Sequence, residues 1–339
     1  MLSTRQPNYF PNCGEINRFH EKIRKNGQEE QRMSEKDTLI TILGPTASGK
    51  TALATKLAAL VNGEIISADS RQVYRGMDIG TGKDLDEYEV DGLKIPYHLI
   101  DIVEPSYEYN VFEFQKHCLK AYSDICGRGN TPILCGGTGM YIESVMKGYR
   151  LVEVPENPEL RAFLSTFSNE ELVDRLKTLR EVHNTTDSVN RDRIIRAIEI
   201  ESYQKSHPEA VNDFPEINHK IFGIQIERET LKQRITERLK ARLANGMVEE
   251  VEDLLEKGFT AEQLKFYGLE YKFVTQFATG ELNRNDMFQK LNSAIHAFAK
   301  RQMTWFRKME REGRQIHWID GLRSDNDKLR EVLSLCVKN

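Results

Sequence analysis

The sequence is poor in the features that stabilise secreted and membrane proteins. Its 339 residues include only five cysteines, and no two of these stand in a C-x-x-C spacing. This scarcity argues against a disulfide framework and against a cysteine-based zinc site, and it is typical of a reducing cytoplasm. No apolar run approaches the length of a membrane span and no signal segment opens the chain, so we expect a cytoplasmic protein without membrane contact.

Neither sign of charge dominates the chain. The sequence has 48 Lys and Arg against 52 Asp and Glu, a formal net charge of −4. Such a balance provides no overall attraction to nucleic acid, so any binding of this kind must depend on local basic patches. No internal repeat is apparent. The length allows a sizeable core and about two domains.

The strongest motif is GPTASGKT at residues 44–51, which fills every position of the phosphate-binding pattern G-x-x-x-x-G-K-[ST]. Leu39–Leu43 before it predicts a buried strand, and residues 52–61 after it have leucines at helical spacing. Loop amides at the amino end of a helix would bind an anion, Lys50 adds positive charge, and the Thr51 hydroxyl can bind Mg²⁺. We therefore predict that diphosphate is bound by Gly44, Thr46, Ala47, Ser48, Gly49, Lys50 and Thr51.

Two acidic residues follow short predicted strands. Asp69 ends the strand-like residues 64–68 and opens an irregular stretch, DSRQVYRGMDIGTGK, at residues 69–83. Open α/β sheets bind ligands at the carboxyl ends of their strands, so Asp69 is a general base, a magnesium ligand or the cap of a turn. Asp101 lies near the end of a strand predicted over residues 97–102. It could likewise bind magnesium or lie in a turn.

A second glycine-rich turn, GGTG at residues 136–139, separates a predicted strand at residues 132–135 from a predicted helix at residues 140–146. Two glycine turns at strand ends can form opposite walls of one anion site, with Thr138 donating its hydroxyl. A plain tight turn between strand and helix is the alternative.

The second half of the chain is mostly helical. Residues 156–205 are charged and without a clear strand, which predicts a helical insertion; Arg191, Arg193 and Arg196 form one basic edge, although a solvated helix face accounts for any one of them. After a return strand at residues 220–226, the helix predicted over residues 288–309 interleaves basic and aromatic residues. That pattern suits RNA phosphate contact with base stacking, or a core face with solvated bases; the local positive excess favours RNA.

Together these motifs resemble the tRNA dimethylallyltransferase family over most of residues 38–320. The resemblance rests on GPTASGKT, the stretch at residues 69–83, YHLIDI, GGTGMY, RIIRAIE and AKRQMTWFR. It implies an α/β fold in which a P-loop nucleotide-kinase-like parallel sheet core has a helical insertion and C-terminal helices. It also implies transfer of a dimethylallyl group from dimethylallyl diphosphate to N6 of the adenosine next to the tRNA anticodon, with release of diphosphate and with Mg²⁺ as cofactor.

The resemblance further implies roles for individual residues. Asp69 would accept a hydrogen bond from N6 and act as base, and Thr138 would stabilise the leaving diphosphate. Lys265 lies near the position of a diphosphate-binding arginine in many relatives. The metal ligands predicted from the phosphate loop and from the strand end are Thr51 and Asp101. Contacts with the anticodon stem-loop are expected from Ser70, Gln72, Arg75, Arg193, Arg196, Arg301, Gln302 and Arg307.

The chain departs from the family pattern at several positions. It has Gly80-Thr81-Gly82-Lys83-Asp84 where the family usually reads IGTAKP, and Asp192 where a glutamine usually precedes RIIRA. Many relatives have GYK or GYR where this chain has Gly268-Leu269-Glu270. Lys265 can supply charge but not the two-pronged hydrogen bonding of arginine, so these departures bear on the donor contact and on RNA choice.

We expect a monomer with five segments: a loose extension at 1–36, the first part of the core at 37–154, an insertion that contacts the anticodon arm at 155–212, the rest of the core at 213–322, and a tail at 323–339. Two other functions compete with tRNA prenylation. A P-loop small-molecule or nucleoside kinase is permitted by the phosphate loop, but the basic–aromatic helix and the lack of an evident lid arginine cluster oppose it. A non-catalytic NTP-gated RNA-binding protein is opposed by Asp69.

Overall fold

The computed structural model describes residues 37–180, 190–208 and 214–337. A six-stranded sheet lies at the centre, with the order β5-β2-β6-β1-β7-β8. Every neighbouring pair in it is parallel. Its strands are β1 Leu39–Leu43, β2 Gly63–Ala68, β5 Tyr97–His98, β6 Thr131–Gly136, β7 His219–Gln225 and β8 His317–Asp320. A small antiparallel pair comprises β3 Glu89–Val90 and β4 Leu93–Lys94.

Twelve α-helices connect and cover these strands in the described ranges. They are α1 Lys50–Val61, α2 Val111–Gly127, α3 Gly139–Met146, α4 Pro158–Ser165, α5 Asn169–Leu179, α6 Arg191–Ser206, α7 Arg228–Ala244, α8 Met247–Glu256, α9 Ala261–Phe266, α10 Leu269–Ala278, α11 Arg284–Arg311 and α12 Asp325–Val337. Across these ranges, no helix is long and apolar enough to cross a membrane. The cysteines they contain, Cys118, Cys126, Cys135 and Cys336, are unpaired.

The predicted fold class is confirmed. All residues of β1 and β2 are buried, as expected for the central strands of a parallel sheet covered by helices on both faces. Because β1 and β2 each pair with β6, the carboxyl ends of these three strands meet at one edge, where Leu43 and Ala68 both lie opposite Gly136. The phosphate loop and both other predicted site turns begin at this edge.

The insertion has a hydrophobic core of its own. Leu164, Leu172, Leu176, Ile194 and Ile198 pack together in a cluster separate from that of the sheet. The predicted boundaries 155–212 and the proposed contact with an anticodon arm remain predictions.

A polar network also holds the insertion together. The buried Glu199 carboxylate accepts hydrogen bonds from Arg161 Nε and Nη2 at 3.1 and 2.9 Å, and from the amide of Asn157 at 2.6 Å. Arg196 pairs with the same carboxylate and donates to the Val154 carbonyl at 2.7 Å. The RIIRAIE motif therefore includes structural residues.

One sequence prediction about local structure differs from the fold. The strand predicted over residues 97–102 is only two residues long, because Leu99 and Asp101 adopt φ values of 64° and 55° that no strand permits. Helix α12 lies within the segment predicted as a tail at residues 323–339, and its Leu329 and Val332 are buried at the spacing of one helical face. The boundaries of that segment remain a prediction. The extension predicted at residues 1–36 lies outside the described residues.

Glu64, at the start of β2, provides a test of stability. Its side chain is only 5% exposed, and it accepts hydrogen bonds from Arg128 at 3.0 and 2.8 Å, from Asn130 at 2.7 Å and from His98 at 2.7 Å. Burial by itself raises the pKa of Glu64, but the hydrogen bonds from Arg128, Asn130 and His98 outweigh it and lower the pKa to about 2. The ionised carboxylate is thus specifically stabilised by the fold.

We expect Glu64→Gln to lower the free energy of unfolding at pH 7 by about 2–4 kcal/mol, because a buried carboxylate whose hydrogen bonds are charge-assisted is replaced by an amide that must direct its NH₂ group at some of the same donors. A depressed pKa stabilises the fold above the unfolded value of 4.5, and this contribution disappears as pH falls toward about 2. Urea unfolding at pH 7 and at pH 3 should therefore show a smaller difference at the lower pH. Glu104→Gln is the control, since Glu104 is 67% exposed and its pair with Arg75 is a surface contact. A pH-independent difference would contradict the assignment.

Candidate active site

The phosphate loop has the geometry of an anion site. Ala47 and Gly49 adopt φ values of 62° and 84°, and these left-handed residues curl the loop before α1 begins at Lys50. The helix therefore presents its free amides and the positive end of its dipole to the loop. Burial lowers the pKa of Lys50 below its usual range, and the nearby Arg238 guanidinium adds to this effect. The charged form of Lys50 would gain much from an anionic ligand.

Gln302 of α11 joins the two glycine turns. Its Oε1 accepts a hydrogen bond from the amide of Thr46 in the phosphate loop at 2.8 Å. Its Nε2 donates to the carbonyl of Gly137 in the second turn at 2.9 Å. Gln302 is buried between the turns while it lines the larger cavity described below. It fixes the spacing of the two walls; the predicted contact with tRNA remains a prediction.

Asp69 and Thr138 lie side by side, because β2 and β6 are neighbours in the sheet. The amide of Thr138 donates to the Ala68 carbonyl at 3.1 Å, and the Thr138 hydroxyl accepts from the amide of Ser70 at 3.1 Å. Asp69 Oδ1 accepts from the amide of Arg71 at 2.9 Å. The turn-capping contact of Asp69 is therefore present, but Asp69 also lines the cavities of the site.

The site consists of two adjoining cavities. The smaller one is formed by the phosphate loop and the residues around Gln72, Gly82, Glu87 and Gly136. The larger one has a volume of about 400 Å³ and extends toward α9, α10 and α11. Six residues line both: Thr46, Lys50, Asp69, Thr81, Arg238 and Arg242. Asp69 thus lies where a phosphate-binding chamber meets a roomier one.

Sequence analysis missed Arg238 and Arg242, which project from α7 into both cavities. Arg238 donates to the Thr46 hydroxyl of the phosphate loop. Burial lowers the pKa of Arg238 to about 10, and the neighbouring Arg242 contributes to this. Arg242 pairs with Asp84 at 2.8 Å. Together with Lys50, the two arginines make the junction strongly cationic.

Two departures from the family pattern lie against Arg242. A Cβ atom at Gly82 would lie 2.1 Å from Arg242 Nη2, so the alanine usual in the family would require this flexible guanidinium to shift. Gly82 also has a φ of 66°, which favours glycine. Asp84, in place of the family proline, supplies the carboxylate that pairs with Arg242. The residues at 82 and 84 therefore accommodate the same side chain.

The stretch at residues 69–83 is held in place by two side chains, the buried Lys83 and the half-buried Glu250. Lys83, 1% exposed, donates to the Tyr74 carbonyl at 2.8 Å and to Asp78 at 2.6 Å, and also pairs with Asp101. Glu250 of α8 accepts hydrogen bonds from three successive backbone amides, those of residues 78–80, at 2.9, 2.7 and 3.0 Å. The helices thereby fix the loop that follows Asp69.

The larger cavity contains a second carboxyl group, Glu270 at the start of α10. Burial raises the pKa of Glu270 above its usual range. Lys265 lines the same cavity and pairs with Glu281. These two positions are departures from the family pattern, and both face the space in which a substrate would lie.

Of the other predicted site residues, some line one of the two cavities and others line neither. Asp101 lines neither cavity, and its carboxylate pairs with Lys83. Gln72 lines the smaller cavity and bridges Ser67 and the Gly82 carbonyl at 2.8 and 2.9 Å. Ser70 and Arg301 line the larger cavity. Arg75 pairs with Glu104, while Arg193 of α6 and Arg307 of α11 are exposed.

A phosphate loop at the carboxyl edge of a parallel sheet, with a strand-end acid and a second chamber beside it, defines a P-loop transferase core of the nucleotide-kinase type. The family model described as IPP transferase matches residues 72–309, and the one described as Isopentenyl transferase matches residues 37–99. The chain belongs to the IPP transferase family.

Individual relatives agree with this membership. The chain is 60% identical over 302 residues to tRNA dimethylallyltransferase 1 of Geotalea uraniireducens, covering 89% of this chain and 97% of that protein. The crystal structure of the full-length tRNA isopentenylpyrophosphate transferase of Bacillus halodurans superposes with a TM-score of 0.64 at 31% identity, over 88% of this chain and 95% of that one. A eukaryotic dimethylallyltransferase acting on tRNA gives a TM-score of 0.70 at 25% identity, over 84% and 74% of the respective chains.

Proposed function

We propose that this protein transfers a dimethylallyl group from dimethylallyl diphosphate to N6 of the adenosine next to the anticodon of tRNA, releasing diphosphate. The observation that carries the proposal is the position of Asp69 at the junction of the two cavities. A diphosphate in the smaller chamber and a purine in the larger one would both reach this carboxylate. The protein's relatives include one named tRNA dimethylallyltransferase 1, and the chain is a transferase of the same family.

The smaller cavity suits the donor. The C1–O bond of the allylic diphosphate breaks as negative charge accumulates on the leaving oxygen atoms. The loop amides, Lys50 and Arg238 line that position with positive charge that is already in place, and such preorganised charge is usually the largest single contribution to catalysis. Thr138, held beside Asp69 through Ser70, is proposed to donate to the same anion.

The larger cavity suits the acceptor. The adenine amine is a weak nucleophile, and it loses one proton as its nitrogen forms the bond to C1. Asp69 would accept that proton, while the base itself must leave its stack to reach the carboxylate. A chamber of about 400 Å³ has room for an extruded base and the short isoprenoid chain.

Magnesium is part of the proposal. In the part of the chain that the structure describes, no group of three or more His, Cys, Asp or Glu residues could hold a metal ion. Thr51, Asp84 and Glu87 nevertheless all line the smaller cavity. Such a sparse set fits Mg²⁺, which usually takes few protein ligands and completes its shell with water and substrate phosphate. Bound there, it would neutralise charge on the diphosphate; the predicted ligand Asp101 remains a prediction.

The decisive experiment supplies C1-labelled dimethylallyl diphosphate, Mg²⁺ and a tRNA with adenosine next to the anticodon. We expect label in that adenosine after digestion to nucleosides. A tRNA with guanosine at the same position is the control, since it has no N6 amine and should stay unlabelled.

Two further measurements distinguish a kinase. Affinity for tRNA should fall steeply with salt, since Arg301 and Arg307 are proposed to contact phosphates, while donor affinity should change less. Transfer of phosphate from ATP to a small acceptor, with the tRNA unlabelled, would overturn the proposal. We propose that the protein acts as a monomer in the cytoplasm, where it would meet tRNA.

A further inference from the structure

Two exposed phenylalanines line the larger cavity. Phe266, the last residue of α9, is 56% exposed, and Phe298 of α11 is 37% exposed. An arginine lies over each ring: Arg71 has its guanidinium carbon 5.4 Å from the Phe266 centroid, and Arg301 lies 5.8 Å from that of Phe298. The same arrangement therefore occurs twice on one cavity, from elements distant in sequence.

Packing does not account for these rings. Both are large apolar side chains that remain in contact with water, although folding normally removes such surface from it. The arginines are exposed or half-buried, and each guanidinium lies over an aromatic ring, where it places positive charge beside an apolar surface. Each pair is thus a preformed, amphipathic platform facing solvent.

The backbone connects both platforms to the reacting centre. The backbone amide of Arg71 donates a hydrogen bond to the Asp69 carboxylate. The same short turn therefore positions Asp69 in the site and the Arg71 side chain over Phe266. Arg301 precedes Gln302, which bridges the two glycine turns. A base whose N6 reached Asp69 would leave its neighbours in the chain near the two platforms.

Resting on the proposed function, we propose that Phe266 with Arg71 and Phe298 with Arg301 stack unpaired anticodon-loop bases adjoining the extruded adenosine. The chemistry of the cavity wall favours RNA over an apolar peptide, because Lys265 and Lys272 line the same cavity as the arginines. Unpaired bases are commonly bound by aromatic and guanidinium planes between cationic residues. Every base has a π-face, so the platforms select an open loop over a duplex and are tolerant of sequence.

The test uses the full chain, an anticodon stem-loop RNA with 2-aminopurine beside the target adenosine, and the variants Phe266→Leu and Phe298→Leu. Leucine keeps the apolar character but removes the π-face. Each variant should weaken RNA binding roughly 5- to 100-fold, and one of them should abolish the fluorescence change of the stacked 2-aminopurine. Phe266→Trp should retain the affinity, the KM for dimethylallyl diphosphate should stay unchanged, and the melting temperatures should match.

Phe163→Leu is the matched control. Phe163 is also exposed beneath an arginine, Arg175 at 5.3 Å, but it lies on α4 and lines neither cavity. Bases in a paired stem offer no free face, so this variant should bind RNA normally. Unchanged RNA affinity in both cavity variants, an equal loss in Phe163→Leu, or a raised donor KM with normal RNA binding would overturn the inference. Failure of the wild-type protein to label tRNA would instead overturn the proposed function.

Discussion

Replacing Asp69 with asparagine is expected to lower the transfer rate by about 10²- to 10⁴-fold, the usual contribution of a positioned general base. Asparagine has the same shape, and its Oδ1 can still accept the hydrogen bond that Asp69 takes from the amide of Arg71 at 2.9 Å. The turn and the cavity should therefore be preserved. A single-turnover assay with saturating tRNA and labelled donor measures the rate, and filter binding measures the tRNA affinity, which should change little.

Glu270→Gln is the matched control for Asp69→Asn. Glu270 is the other carboxyl group of the larger cavity that faces Asp69 and the arginines, and burial raises its pKa. A raised pKa favours the neutral acid, which an amide resembles, so Glu270→Gln should keep far more activity than Asp69→Asn. The opposite ranking of the two variants would identify Glu270 as the base. Near-normal turnover in both would exclude a carboxylate base in this cavity.

The parts of the site that could be predicted from sequence are those formed by contiguous residues. The phosphate loop, its strand and its helix are encoded within residues 39–61, and their local pattern suffices. Asp69 and Thr138 were also found, because the end of a parallel strand is a recognisable place in a chain. Thr138 hydrogen-bonds to Ala68 and Ser70, the two neighbours of Asp69, and this proximity follows from the pairing of β2 with β6, which the short apolar runs alone do not specify.

Residues that act across the fold left no such signal. Arg238 contacts Thr46, which is 192 positions away in the chain. Along α7, Leu231, Ile235 and Leu239 mark the buried face, and an arginine beside that face has the same pattern whether it meets solvent or a cavity. Two arginines four residues apart next to buried positions were the only available hint. Phe266 ends a helix of six residues, too short for its pattern to show which side chains face a ligand.

The motifs that carry the family resemblance do not by themselves specify the roles of their charged residues. Arg196 belongs to the RIIRAIE motif, yet it pairs with the buried Glu199 and so contributes to the fold of the insertion. Asp101 belongs to YHLIDI, yet its carboxylate pairs with Lys83, which orders the loop after Asp69. A motif identifies the type of residue at a position, whereas the groups that the side chain contacts determine its role. Only the three-dimensional contacts distinguish these possibilities.

Arg238→Gln is expected to lower the transfer rate by roughly 10²- to 10³-fold and to raise the KM for the donor, because one fixed cation is lost beside the leaving diphosphate. The melting temperature of the free protein, by contrast, should not fall in this variant. Burial and the neighbouring Arg242 lower the pKa of Arg238 to about 10, which means that the charged guanidinium is held there at a cost. Diphosphate would offset that cost, so the increase in melting temperature on adding diphosphate and Mg²⁺ should shrink in the variant.

Two companion variants complete this test. Arg238→Lys keeps the charge without the planar fork and should lie between wild type and Arg238→Gln in both rate and thermal shift. Arg234→Gln removes an arginine one turn earlier on α7 that lines neither cavity, so its kinetics and its shift with diphosphate should equal those of the wild type. If Arg238→Gln instead lowered the melting temperature of the free protein while diphosphate still raised it by the full amount, Arg238 would be a structural residue. The charge opposing the leaving group would then have to come from Lys50 and the loop amides alone.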